Sequence, residues 1–288
     1  MSNDVVNAQT RIAAIIGNPV AQSLSPVIHN AVFRSLGVNW LYLAFLVESE
    51  KVRQTLTEMA ALGIAGYSVT MPHKNEVARI VAEIGEVDEV VKKTSAANTV
   101  TLRSDNSIFA TNTDGQGACN AIESVANFKI AGSRVVLLGA GGTASAVAYA
   151  LVKNGAKDVL IHNRSPQRAE ELVARIGSCR IGRQAELAND VEQAQIVINT
   201  TPVGFDPSGA GSNTESPIDV RLIKSHHIVL DAVYRPLETS LLAAAKKVGA
   251  KTVDGLEMLV HQAALQQEIW LGRRGDTKLM RDAALNTQ

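Results

Sequence analysis

Residues 134–139 read Arg-Val-Val-Leu-Leu-Gly, and the chain continues Ala-Gly-Gly-Thr-Ala to residue 144. No other stretch restricts the fold as tightly. A strand with no polar alternation must be covered on both faces, which is the position of a central strand in a parallel sheet. The glycines that follow permit a turn too tight for side chains. The small, apolar segment after them reads as a helix stopping before Gly155. Strand, glycine turn and helix in that order open a βαβ unit, so the fold class is α/β.

The rest of the chain repeats this alternation. Strands are expected at residues 11–17, 40–45, 66–70, 158–163, 196–200 and 227–233, and a hairpin at 97–102 and 108–110 around Ser104-Asp105-Asn106. Helices are expected at 25–37, 50–62, 166–176 and 255–273, with another from Lys278. The sheets should be mostly parallel. With 288 residues the chain exceeds the usual single-domain size, and the pattern restarts near Lys129. Two α/β domains are therefore expected, changing over near residues 114–117, with the C-terminal helices packing back on the first. The Gly/Ser-rich piece 206–216 reads as a surface loop.

The glycine turn has a chemical use. Gly139-Ala140-Gly141-Gly142-Thr143-Ala144 fits G-x-G-x-x-A between strand and helix. Backbone N–H groups can then approach a pyrophosphate, and the helix N-terminus favours the anion. Ala144 is small enough for helix and strand to pack closely. At the end of the next strand a dinucleotide with a free ribose 2′-OH needs an acidic residue. The sequence there is Asn163-Arg164-Ser165, with Arg168 four residues beyond Arg164. Guanidiniums and small hydrogen-bonding groups suit a 2′-phosphate, so the cofactor expected is NADP(H), not NAD. Ser165 and Pro166 also make an ordinary helix start.

Four polar clusters interrupt the apolar runs of the first half: Ser23-Leu24-Ser25, Ser68 to Lys74, Ala97-Asn98-Thr99 and Asn112-Thr113-Asp114-Gly115. Each falls at a strand end, where open α/β sheets place ligands. Taken singly, each has an ordinary reading. The serines can cap the helix at Pro26, Lys74 can be solvated, Asn98 can belong to a turn, and Asp114 can cap a helix. Taken together they supply what reduction of a hydroxylated ketone needs. A lysine can donate a proton beside a carboxylate that orients it, and hydroxyls and amides can hold a polyol.

In their order along the chain these segments resemble the shikimate dehydrogenase family: GNPVAQSLSPVIHN, SVTMPHK, AANT, NTDG, GAGGTA, NRS with Arg168, and DGLEMLVHQA. The resemblance runs from the first strand to the last helix. It implies a substrate-binding domain over residues 1–114 and 256–288 and a Rossmann-type NADP-binding domain over 115–255. It implies reversible NADPH-dependent reduction of 3-dehydroshikimate to shikimate in aromatic amino-acid biosynthesis. Lys74 and Asp114 would be the catalytic pair, with Lys74 either the acid or an electrostatic stabiliser. Ser23, Ser25 and Tyr234 would bind the substrate carboxylate; Thr70, Asn98 and Gln262 would bind ring hydroxyls. Ser68 stands where many members carry Asn, which replaces an amide by a shorter hydroxyl at the substrate. The cofactor side would include Thr200, Thr201, Pro202 and Val203 along the cofactor, with Val233 and Met258, and Gly255 by the nicotinamide.

Other features narrow the partners. Formal net charge is zero, which gives no basic field for nucleic acid. No apolar run reaches membrane-spanning length and residues 1–11 do not read as a secretory signal, so a cytoplasmic protein is expected, monomer or homodimer. Cys119 and Cys179 read as free thiols. The six histidines lack metal-ligand spacing, so no metal is expected; His73 reads as a surface residue or one behind the site, and Trp40 and Trp270 as packing. Two other functions fit the same residues: a quinate/shikimate dehydrogenase of broader or oxidative specificity, and a non-catalytic NADP-binding regulator on the same fold.

Overall fold

A computed structural model describes residues 6–206 and 212–287. Part of the segment read for a secretory signal, and residues 207–211 of the expected loop at 206–216, lie outside the described residues. The chain forms two compact units, Met1–Thr113 with Gln262–Gln288, and Asp114–His261.

The first unit runs β1 (Arg11–Gly17), α1 (Ser25–Ser35), β2 (Trp40–Leu46), α2 (Val52–Glu58), β3 (Ile64–Val69), α3 (Lys74–Ile84), β4 (Glu86–Val87), α4 (Glu89–Thr94), β5 (Thr99–Leu102) and β6 (Ile108–Thr111). Its strands order β2-β1-β3-β5-β6-β4. The central strand β1 shows why the sheet is covered on both faces. Ala14 and Ile16 point into one core with Leu56 and Ile80, whereas Ala13 and Ile15 point into another with Phe33 and Trp270. The sheet is mixed: β1 pairs parallel with β2 and β3, while β5 runs antiparallel to β3 and β6. That reversal is the expected hairpin, turned by Asn106 at φ 64 and by the Asp105 carboxylate accepting the Ser107 N–H. The helix expected at 50–62 is shorter, because α2 stops at Glu58 ahead of Gly63 at φ +64.

The second unit runs α5 (Asp114–Val125), β7 (Arg134–Leu138), α6 (Gly142–Lys153), β8 (Asp158–His162), α7 (Pro166–Ile176), β9 (Arg180–Ile181), α8 (Leu187–Gln193), β10 (Ile196–Asn199), β11 (Ile228–Asp231), α9 (Ser240–Lys247) and β12 (Lys251–Val253). The order β12-β11-β10-β7-β8-β9 is parallel throughout. This is the doubly wound arrangement, and the strand order reverses between β7 and β10. Val136 and Leu138 on one face of β7 enter a core with Val197, Val229 and Leu241. The next helix, α10 (Gly255–Leu271), begins in the second unit and ends in the first. It stops two residues short of the expected Arg273 because Gly272 takes φ +67. The last helix, α11 (Thr277–Leu285), packs on α1. No helix among the described residues is long and apolar enough to cross a membrane. Both cysteines are buried and unbridged, and burial raises each thiol to about 12.

Candidate active site

In the first unit, topology brings the polar clusters to one edge of the sheet. β1 and β3 are parallel, so Ser23 and Ser25 follow one carboxyl end and Thr70 to Lys74 follow the neighbouring one. β5 runs the other way and pairs Thr99 with Ser68, so Asn98 lies at its start beside the end of β3. Antiparallel β6 then delivers Asn112 and Thr113 to the same edge, opposite Thr99. Between β1 and β3 the strand order also reverses, the usual position of a ligand crevice. Gly17 is required there: a Cβ on it would stand 2.3 Å from the Thr70 Cγ2.

The ordinary readings of the serines and of Asn98 fail, and Asp114 does open a helix. Leu24, not a serine, occupies the cap position of α1, and no side chain caps that helix. Ser25 is buried, and its N–H donates to Ser23 Oγ at 3.2 Å. Lys74 is half-buried at the first position of α3, and its carbonyl accepts the Ala97 N–H at 2.9 Å. His73 is buried rather than exposed, with Nε2 2.7 Å from the Val47 carbonyl.

Asn98 is no turn residue. It is 2% exposed. Its Oδ1 accepts the Thr113 N–H at 2.8 Å and the Thr99 hydroxyl at 2.7 Å, and its Nδ2 donates to Gln262 Oε1 at 3.2 Å. Ser68 joins the same network. Its hydroxyl accepts from the Tyr42 phenol at 2.6 Å and donates to Gln266 Oε1 at 2.7 Å. Gln266 Nε2 reaches the Asn98 carbonyl at 3.2 Å and Thr99 Oγ1 at 3.0 Å. The Tyr42 hydroxyl is also bonded to Ser25, and burial raises its pKa. Buried polar groups require this mutual satisfaction, and a connected network holds each in one orientation.

Helix α10 supplies the far side of this network by spacing alone. Gln262, Gln266 and Trp270 lie four residues apart on one face. Trp270 Nε1 donates to the Val100 carbonyl at 3.3 Å, and it packs so closely on β3 that a Cβ on Gly66 would stand 2.3 Å from that nitrogen.

The second unit holds Asp114, Tyr234 and the residues expected to hold the dinucleotide. Gly139 has φ +114, and a Cβ there would lie 2.7 Å from Thr200 Oγ1, so both backbone and neighbour demand glycine. Thr200 Oγ1 donates to the Leu138 carbonyl at 2.7 Å, which fixes the end of β10 against the end of β7. Gly141 stands at the cap of α6 and brings no side chain to its first N–H groups. Thr201 Oγ1 donates to Asn199 Oδ1 at 2.7 Å, and Asn199 Nδ2 donates to Asp231 Oδ1 at 2.8 Å. Asp231 also accepts from the Thr239 hydroxyl; burial raises its carboxyl to about 6. Gly255 meets Val233 so closely that a Cβ would be 2.5 Å from its carbonyl oxygen. Met258 is buried beyond it, and burial raises the pKa of Tyr234.

At the end of β8 a cleft of about 700 Å³ is lined by Asn163, Arg164, Pro166, Ala169, Glu170 and Arg183, among others. Ser165 occupies the cap of α7 without using its hydroxyl as a cap. No carboxylate follows β8 where a ribose 2′-OH would need one. The donor set of this unit therefore fits a 2′-phosphorylated dinucleotide.

Family models match most of the chain: the shikimate dehydrogenase substrate binding domain over residues 15–100, shikimate / quinate 5-dehydrogenase over 121–206, and the shikimate 5′-dehydrogenase C-terminal domain over 255–285. The shikimate dehydrogenase (NADP(+)) of Symbiobacterium thermophilum is 41% identical over 283 residues, which cover 96% of this chain and 94% of that protein. The chain belongs to the shikimate dehydrogenase family.

Another shikimate dehydrogenase (NADP(+)), from Methanocaldococcus jannaschii, is 35% identical over 98% of this chain and 99% of that protein. The shikimate 5-dehydrogenase of Thermus thermophilus, solved in complex with NADP(H) and shikimate, superposes with a TM-score of 0.86. It is 32% identical, covering 97% of this chain and all of that one. Against this family background, the sequence left four contributors unseen: Tyr42, Gln266, Asn199 and Arg183. Gln266 carried one usable signal, its position one helical turn after Gln262. The other three look like ordinary strand or loop residues until the fold gives them partners.

Proposed function

We propose that this chain is an oxidoreductase that interconverts 3-dehydroshikimate and shikimate with NADP(H). The observation that carries this reading is the buried network centred on Asn98, at the sheet edge where Lys74 begins α3. The first unit would bind the polyol and the second the dinucleotide. Ser23 and Ser25, with Tyr234, are read as the carboxylate side of the substrate. Thr70, Asn98 and Gln262 are read as its hydroxyl side. The amides and hydroxyls already satisfy one another, so a polyol replaces like with like and leaves no buried group unpaired.

Bound NADPH would supply the hydride. Lys74 would give the proton to the oxygen of the reduced carbonyl, or stabilise the charge that develops there. Asp114 is its proposed carboxylate partner. The chain itself argues for the pairing: Lys74 is hydrogen-bonded to Ala97, the residue before Asn98, and Asp114 follows Thr113, which is bonded to Asn98. Asp114 also opens α5, where the helix dipole favours an anion. In the second unit, Gly139 to Ala144 would take the pyrophosphate and Arg164 the 2′-phosphate. Thr200 to Val203, Val233, Gly255 and Met258 would run along the cofactor toward the nicotinamide. The same reading makes the protein cytoplasmic, a monomer or homodimer, without a nucleic-acid partner.

Lys74→Ala tests the reading. The expected result is a loss of kcat of roughly a hundredfold to ten-thousandfold, with NADPH binding by fluorescence titration unchanged. Near-normal turnover in this variant would contradict it.

A further inference from the structure

Arg183 has no place in the motifs of the sequence, yet it lines the same cleft as Arg164. Its position follows from the sheet. β8 and β9 are parallel neighbours, with Leu160 beside Arg180 and Ile161 beside Ile181. Continuing that register by two residues sets Gly182 beside His162 and Arg183 beside Asn163. Adjacent strands are about 4.8 Å apart, so the Arg183 and Arg164 stems leave neighbouring strand ends on the same edge of the sheet.

The turn that presents Arg183 is built, not incidental. The Gly182 N–H donates to the Ile161 carbonyl at 2.9 Å. A Cβ on Gly182 would stand 2.0 Å from His162 Nε2, so the imidazole packs directly against this glycine. His162 is 5% exposed, and Asp190 Oδ2 holds its Nε2 at 2.9 Å. A buried ring pinned from α8 thus sets the height of the backbone from which Arg183 departs. The Arg183 guanidinium itself is 81% exposed and stands 4.0 Å from Glu186. That loose pair leaves its N–H fork able to turn to an incoming anion. Arg168 is also exposed, on α7, but does not line the cleft.

We infer that Arg183 is a further guanidinium of the 2′-phosphate site, beside those of Arg164 and Arg168, closing on the phosphate from the β9 side while Arg164 holds it from the β8 side. The inference deepens the NADP(H) reading and rests on it. A phosphate dianion accepts bidentate bonds from more than one guanidinium, and two of them outweigh Glu170, the acid lining the same cleft. Arg183 therefore acts on the choice between phosphorylated and unphosphorylated cofactor, not on hydride transfer.

Titration calorimetry with 2′,5′-ADP and 5′-AMP tests this without turnover. The parent chain should bind 2′,5′-ADP more tightly than 5′-AMP. Arg183→Ala should weaken 2′,5′-ADP by roughly tenfold to a hundredfold and leave 5′-AMP little changed, with Arg183→Lys between the two. In steady state, the KM for NADPH should rise with kcat retained. An Arg183→Ala chain that binds 2′,5′-ADP like the parent would overturn the inference and leave the NADP(H) reading standing. Equal weakening of both nucleotides would also overturn it. A parent chain indifferent to the 2′-phosphate would remove the NADP(H) reading first.

Discussion

Asn98 and Gln266 between them tie together β3, β5, the end of β6 and α10 through side-chain amides. Such residues set the orientation of the groups around them. Gln266→Leu would leave Ser68 without its acceptor and would remove the donor to Thr99 and to the Asn98 carbonyl. Each buried group so orphaned costs about 1–3 kcal/mol. The variant should therefore unfold at lower urea than the parent, and its KM for shikimate should rise while its KM for NADP+ holds. An unchanged urea midpoint would show that the network is not needed for the fold. The arrangement also changes how Ser68 is understood. Its hydroxyl is engaged on both sides, by Tyr42 and Gln266, so its first role is to brace the network. Many of the polar residues at this sheet edge were readable: Lys74, Asn98 and the cluster at residues 112–115 stand out as polar breaks in apolar sequence. Tyr42 and Gln266 do not, because a tyrosine in a strand and a glutamine in a helix are commonplace. The Ser68–Gln266 bond joins positions 198 residues apart, and only tertiary packing makes it visible.

At the scale of elements, glycines mark where backbones approach. Gly115 on α5 faces α6, and a Cβ there would stand 2.0 Å from the Ala146 carbonyl oxygen. A backbone atom cannot swing aside as a side chain can, so Gly115→Ala must push the two helices apart. Overpacking of this kind costs about 1–3 kcal/mol or more, and thermal unfolding followed by circular dichroism should show a lowered midpoint. A midpoint equal to the parent's would mean that α5 and α6 shift without strain. The elements legible in the sequence were those with long apolar runs or clear stops, such as β1, β7, β8 and α7. The short ones were not. β4 and β9 have two residues each, too few for any period to register, and α8 has seven with mostly polar composition. The loss mattered, because β9 is the strand that delivers Arg183.

At the scale of the whole molecule, two of the buried ionisable groups, His29 and Asp231, have opposite effects on stability. His29 is fully buried, and burial lowers its pKa from 6.5 to about 3. The unfolded chain then binds a proton that the folded chain refuses, so this contribution is present above pH 6.5 and is lost as pH falls toward 3. Asp231 behaves in the reverse sense. Burial raises it from 3.8 to about 6, so its contribution is present below pH 3.8 and is lost as pH rises through 6. Between about pH 4 and 6 the two slopes oppose each other, each up to about 1.4 kcal/mol per pH unit. Urea unfolding at a series of pH values should therefore separate two variants. Asp231→Asn should lose stability on acidification more steeply than the parent, and His29→Leu less steeply. Two curves parallel to the parent's would contradict this assignment. The central claim, that the chain moves a hydride between shikimate and a 2′-phosphorylated nicotinamide, is tested most directly by the reduced-nicotinamide absorbance. On mixing shikimate with the parent chain and NADP+, the band should grow, and with NAD+ at the same concentration it should grow far more slowly. No growth with NADP+, or equal rates with the two cofactors, would contradict the account.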